Sequence, residues 1–235
     1  MPQMSQHVRS MPQQIETDGF AIVERVFDAL EVDSILATLA GAPLPRSRAG
    51  ARHAMQNSAV AEIARDSRLM RIARSVLGRS AVPFRATLFD KSPAANWLVV
   101  WHQDTVLPLR SRMDASGWGP WSMKAGIIYA HAPTAALDSV LALRIHLDDS
   151  TASNGPLRVL PGTHARGVLT DEAVQESVRE TKPFDCLVPR GGVLAMRPLL
   201  IHASSKLQTE IPRRVLHIEY ACSMEVGYGL ELAVA

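Results

Sequence analysis

The stretch VVWHQDTVLPL, residues 99–109, decides how the chain is read. An apolar run, Val99-Val100-Trp101, leads into His102 and Asp104 with one residue between them, and apolar residues then resume. Polar side chains within a strand cost stability unless something satisfies them. In an extended segment successive side chains alternate faces, so His102 and Asp104 point to one side while Trp101 and Gln103 point to the other. The pair is either an ordinary hydrogen-bonded couple on a strand or part of a metal site that needs a third donor.

Upstream, DGFAIVERVF (18–27) reads as a turn and a short strand, and DALEVDSILATLAG (28–41) as a helix that stops at Gly41. Residues 42–53 have loop composition, and about 57–77 carry a helical stripe of Val60, Ile63, Ala64, Leu69, Ile72, Ala73 and Val76 ended by Gly78. After Pro83 the character changes. FRATLFDK, WLVVWHQD, VLALRIHLDD, PLRVLPGTH, DCLVPRGGVLAMRP and RRVLHIEYA are short β-type runs separated by turn residues. One helix interrupts them, TDEAVQESVRET (170–181), with Thr170 as N-cap and acidic residues in its first turn. A helical N-terminal third thus precedes a many-stranded β body.

At 235 residues the chain fits one domain, 1–235, with about its first 12 residues expected to be flexible. Its 47% hydrophobic and 20% charged content are globular values. A net charge of +2 with dispersed Lys and Arg argues against nucleic acid as a partner. Cys186 and Cys222 form no CxxC, so neither a disulfide framework nor a zinc knuckle is signalled, and a reducing cytoplasm suits them. The N-terminus lacks the apolar core of a signal peptide, and no stretch approaches the roughly 20 apolar residues of a membrane span, so no membrane partner is expected.

MRPLLIHASSKLQTEIPRRVLHIEYA (196–221) offers the third donor. His202 closes the apolar run Leu199-Leu200-Ile201 and is followed by small residues, which suits a ligand at a strand end as well as an exposed loop histidine. Two histidines and one carboxylate from separate strands suit non-heme Fe(II), with coordination positions left open. Zinc accepts the same set, but the general-base glutamate of an HExxH helix is absent. His53, His131 and His217 lack a partner at interpretable spacing and read as structural or surface histidines. In LALRIHLDD, Leu143, Ile145 and Leu147 share one face, so Arg144 and His146 share the other, turned into the barrel or into solvent. No Ser-His-Asp elbow, P-loop or GxGxxG unit appears.

His102-x-Asp104, NGPLRVLPGTH (154–164), His202 in PLLIHASS and Arg213 in PRRVLHIEYA stand in an order that resembles the phytanoyl-CoA dioxygenase family of Fe(II)/2-oxoglutarate-dependent oxygenases. The likeness runs over about residues 85–221, and DGFAIVERVF resembles the family's N-terminal strand. It implies a mainly β fold with N-terminal helices: a double-stranded β-helix, a cupin-like jelly-roll, over about 84–222, with helical support over about 29–78. It also implies Fe(II), 2-oxoglutarate as co-substrate, and O2. His102, Asp104 and His202 would then bind the metal and form the catalytic centre.

Arg213 would pair with the distal carboxylate of 2-oxoglutarate, Ser204 would add a hydrogen bond, and Arg144 would face the co-substrate. A one-residue register shift would give Arg214 the role of Arg213. The implied activity is hydroxylation or other oxidation of a C–H bond in a small molecule, with 2-oxoglutarate decarboxylated to succinate. The alternative is a non-catalytic metal- or ligand-binding barrel of the same fold. Arg110, Arg112 and Lys124, just after the metal-bearing strand, predict an anionic substrate, and Trp118 and Trp121 read as its lid or as packing plugs. In NGPLRVLPGTH two turn signals, Asn154-Gly155 and Pro161-Gly162, favour a structural role, with Thr163 and His164 not ligands.

Overall fold

The computed structural model describes residues 9–44, 46–47 and 50–235. Of the expected flexible start, residues 1–8 lie outside the described residues; the remainder is a correction, because Met11–Asp18 forms helix α1. Ser10 and Gln13 make a capping box, Gly19 closes the helix in the left-handed region, and Ile15 is fully buried. Strand β1 (Phe20–Val23) and helix α2 (Ala29–Gly41) follow, the latter capped by Asp28 and Glu31. The loop beyond contributes two short strands, β2 (Arg46–Ser47) and β3 (Gly50–Ala51). The second helical stretch is two helices, α3 (Ser58–Ala64) and α4 (Ser67–Leu77), since Asp66 accepts from the Arg68 N–H and starts a new cap.

The β body comprises β4 (Val82–Lys91), β5 (Val99–His102), β6 (Val106–Leu109), β7 (Trp121–Lys124) and β8 (Ile127–His131). After a short helix, α5 (Thr134–Leu137), come β9 (Val140–His146), β10 (Leu157–Val159), helix α6 (Asp171–Glu180), β11 (Phe184–Cys186), β12 (Val193–Met196), β13 (His202–Ser204) and β14 (Arg213–Ala221). All pairings are antiparallel, in three sheets of order β1-β12-β9-β14-β4-β3-β2, β11-β10-β13-β5 and β6-β8-β7. The first two are the major and minor sheets of a double-stranded β-helix, a mainly β cupin-like fold supported by the N-terminal helices.

Period-2 alternation divides the major sheet. Leu141, Leu143 and Ile145 of β9 and Leu216, Ile218 and Tyr220 of β14 pack outward against Val32, Ile35, Leu39, Leu69 and Ile72 of the helices. Tyr220 locks that layer by donating to Ala64 O at 2.7 Å. The opposite set, Arg85, Thr87, Phe89 and Lys91 of β4, Arg213, Val215, His217 and Glu219 of β14, and Arg144 and His146 of β9, turns into the barrel. The β body also extends beyond residue 222. Leu230 and Leu232 are fully buried, and Ala235 exchanges backbone hydrogen bonds with Phe84 and Ala86 at 2.9 and 2.8 Å.

Candidate active site

His102 ends β5, His202 begins β13, and the two strands pair them directly, with ring centroids 4.3 Å apart. Asp104 lies just past the strand end, where its N–H donates to Pro198 O at 2.9 Å. One carboxylate oxygen is 3.6 Å from His102 Nε2 and the other 3.6 Å from His202 Nε2. The three donor atoms lie within 4.8 Å of one another, close enough to hold a metal ion.

Each histidine has its Nδ1 2.8 Å from a backbone carbonyl, Val100 O for His102 and Leu200 O for His202. A carbonyl only accepts, so the proton sits on Nδ1 and the Nε2 lone pairs face Asp104, the tautomer a metal ligand needs. Burial lowers His202 to about 4 against the pull of Asp104, which keeps it neutral. Burial works against the Asp104 carboxylate, but His202 and His102 outweigh it and hold the group far below the usual range. Gln103 points the other way. Its amide donates to Gly167 O and Leu199 O at 2.9 and 2.8 Å and accepts from Leu169 N at 2.8 Å, fixing the strand end.

The triad heads a cavity of about 150 Å³ whose other walls include Lys91, Arg144, Ser204, Arg213 and His217. Arg213 is 3% exposed; its Nη2 donates to Ser204 Oγ at 3.2 Å, while Nε and Nη1 have no partner. Burial and the neighbouring Arg144 pull it down to about 9. Ser204 Oγ also accepts from Lys91 Nζ at 2.8 Å and donates to Gly155 O at 2.9 Å, so it braces two cations. Arg214, on the opposite face, is clamped by Asp148 through Nε and Nη2 at 2.8 and 2.7 Å and does not line the cavity.

Arg144 is 6% exposed and lines the cavity. Its Nη1 donates to His217 Nδ1 at 3.0 Å, and His217 Nε2 lies 3.3 Å from Glu219 Oε1. Glu219 in turn accepts from Arg85 at 3.3 Å. His217 is thus no surface histidine. Lys91, His217, Arg85 and Glu219 are among the cavity residues that sequence reasoning missed; His217 stands four residues after Arg213, and Lys91 pairs with Arg213 across the sheet. Asn154 is fully buried and bonds the turn at Thr151 and Asp149, and Thr163 and His164 stay off the cavity.

The structure places the other candidates elsewhere. Residues 106–131 build the separate sheet β6-β8-β7, where Trp118 packs into an apolar cluster with Leu107, Leu109 and Leu232. Arg110 pairs with Glu231 at 2.6 Å, Arg112 lies over the Trp121 ring at 5.7 Å, and Lys124 over the Tyr129 ring at 5.4 Å. None of Arg110, Arg112, Trp118, Trp121 and Lys124 lines the cavity. The sheet packs this stretch against the C-terminal segment. His53 meets the Tyr129 hydroxyl at 2.7 Å, and His131 is exposed.

The model of the phytanoyl-CoA dioxygenase family matches residues 15–215. The chain belongs to that family. No protein of curated function matches the sequence. Among solved structures, the phytanoyl-CoA dioxygenase fold seen here is similar to EctD from S. alaskensis in its apoform, at 21% identity over 99% of this chain and 86% of that one, TM-score 0.69. The epimerase SnoN from nogalamycin biosynthesis, solved with Fe3+, alpha ketoglutarate and nogalamycin RO, matches at 18% identity over 90% and 82%, TM-score 0.65. The carbocyclase SnoK of the same biosynthesis matches at 14% over 94% and 87%, TM-score 0.65.

Proposed function

We propose that this protein is an Fe(II)- and 2-oxoglutarate-dependent oxygenase that hydroxylates, or otherwise oxidises, a C–H bond of a small molecule. The observation that carries the reading is a two-histidine, one-carboxylate donor set sharing a cavity with a buried arginine whose Nε and Nη1 lack partners. Both parts fit the groups proposed for them. His102 and His202 present Nε2 lone pairs and Asp104 an ionised carboxylate, which suits a divalent iron and leaves coordination positions open. The Arg213 guanidinium suits the distal carboxylate of 2-oxoglutarate, bidentately, and Lys91 adds a second cation.

When bound, iron and 2-oxoglutarate supply the O2-dependent oxidation and the co-substrate leaves as succinate. The chain's own part is positioning. The carbonyls of Val100 and Leu200 hold the imidazoles in one tautomer, Gln103 pins the strand that carries His102, and Ser204 sets the spacing of the two cations. Asp104 requires no deprotonation at neutral pH, because its carboxyl lies far below the usual carboxylate range. Succinate release from 2-oxoglutarate by the Fe(II)-loaded protein under air, lost in His202→Ala, tests the reading; tight metal binding without any turnover would favour the non-catalytic barrel.

A further inference from the structure

Four cationic side chains, Arg85, Lys91, Arg144 and Arg213, line the cavity against two carboxylates, Asp104 and Glu219. A divalent metal raises the excess to four charges, and the two carboxylates of 2-oxoglutarate bring it down to two. With Lys91 neutral, one positive charge still remains, and Arg144 is itself only 6% exposed. An unmatched buried charge is costly, so the filled site calls for a further anion.

The unmatched charge is Arg144. Arg85 is paired with Glu219, and Arg213 and Lys91 share Ser204, whereas Arg144 has only the ring of His217 on one nitrogen and a buried Nε with no partner. It stands on β9, beside His217 and two residue rows from the Arg213 end of the barrel. It lines the same cavity as Asp104 and His202. The His217–Glu219–Arg85 chain holds it in place from below.

We infer that Arg144 is the anchor for a carboxylate of the substrate, so that the enzyme oxidises a compact carboxylic acid held by its acidic group inside the barrel. The inference rests on the oxygenase reading for the place of the co-substrate at Arg213. A cavity of about 150 Å³ is small beside the roughly 300–1,000 Å³ of sites for drug-sized ligands, which suits a compact acid. His102 and Asp104 are 36% and 39% exposed whereas His202 is 5% exposed, so the remainder of the substrate faces the opening on the His102–Asp104 side.

The test uses full-length protein crystallised with Ni(II) and 2-oxoglutarate and soaked in sodium bromide, whose anomalous scattering locates anions without a known substrate. The expected result is bromide against the Arg144 guanidinium, displaced by acetate and retained with acetamide. In parallel, calorimetry compares 2-oxoglutarate affinity in wild type, Arg213→Met, Arg144→Met and Arg144→Gln; only Arg213→Met should lose it. An empty Arg144 after the soak overturns the proposal. So does a 2-oxoglutarate carboxylate seated on Arg144, with the Arg144 variants losing affinity as Arg213→Met does. Wild type that binds no 2-oxoglutarate would instead end the oxygenase reading, while the bromide position still decides the subsite.

Discussion

Lys91 and Arg213 stand directly opposite each other on β4 and β14, and both donate to Ser204 Oγ, at 2.8 and 3.2 Å. Like charges so placed repel, and among the described residues no carboxylate forms an ion pair with either. Burial, then Arg213 and Arg144, lower Lys91 to about 7. The pair is a strained arrangement that a bound dianion relieves.

A pH dependence follows, with a definite sign. Above pH 7 the free site holds mostly neutral Lys91, and a carboxylate ligand favours the charged form, so 2-oxoglutarate binding takes up a proton and weakens as pH rises from about 7 to 9. In the ligand-free protein, the unfolded chain keeps the lysine proton up to its ordinary value of 10.5 while the folded chain releases it near 7, so this group makes stability rise with pH across that window. Calorimetry in buffers of different ionisation enthalpy measures the uptake. Lys91→Met should abolish it, and an unchanged proton count in that variant would refute the assignment.

The neighbouring arginines separate on β14. Arg213→Met leaves a bound carboxylate without its charged partner, a loss on the order of 2–5 kcal/mol, which weakens 2-oxoglutarate by at least about tenfold. Arg214→Met only breaks the clamp on Asp148, whose cation is 34% exposed, and should lower the melting temperature slightly with affinity intact. Equal affinities in the two variants would show that the face assignment is wrong.

Gly155 sits at φ +66°, and a Cβ there would come within 2.4 Å of Ser205 O. Its own carbonyl receives the Ser204 hydroxyl. Gly155→Ala should therefore cost about 1–3 kcal/mol in denaturant unfolding and also weaken 2-oxoglutarate through Ser204. Wild-type stability in this variant would mean that the turn relaxes freely.

Much of this architecture is legible locally. The strand ending at His102, the small residues after His202 and the even spacing of Arg144 from inward neighbours all follow from alternation, which depends only on near neighbours. What is not legible depends on closure of the barrel. Lys91 reads as a solvated strand cation until Arg213 and Ser204 are brought against it by pairing across more than a hundred residues. His217 likewise gains its meaning from Arg144 on a third strand. The stretch after β5 depends on closure in the same way: Arg110, Arg112 and Lys124 follow the metal-bearing strand in sequence, but with β6 paired to β8 and Leu109 bridged to Leu232 they are not among the residues that line the cavity. Helix α1 escaped notice because its single turn-facing core residue, Ile15, makes no stripe.

The donor set predicts its own hierarchy. His102→Ala and His202→Ala should each remove most bound Fe(II) in anaerobic calorimetry, because three protein donors are the minimum this site offers. Gln103→Ala, which touches no metal donor atom but releases the strand end from Gly167, Leu199 and Leu169, should weaken the metal by a smaller factor, about 10- to 100-fold. Unaltered Fe(II) affinity in both histidine variants would remove the metal assignment.

The central claim is that one cavity holds a metal at His102, Asp104 and His202 and a 2-keto acid reaching Arg213. Its most direct test is an anaerobic titration of the Fe(II)-loaded protein with 2-oxoglutarate, followed in the visible spectrum and then by succinate after admission of air. The account predicts a saturable charge-transfer absorption that is absent in His202→Ala and shifted to much higher 2-oxoglutarate in Arg213→Met, with succinate formed only where the absorption appears. A wild-type protein that binds Fe(II) yet shows neither absorption nor succinate would contradict it.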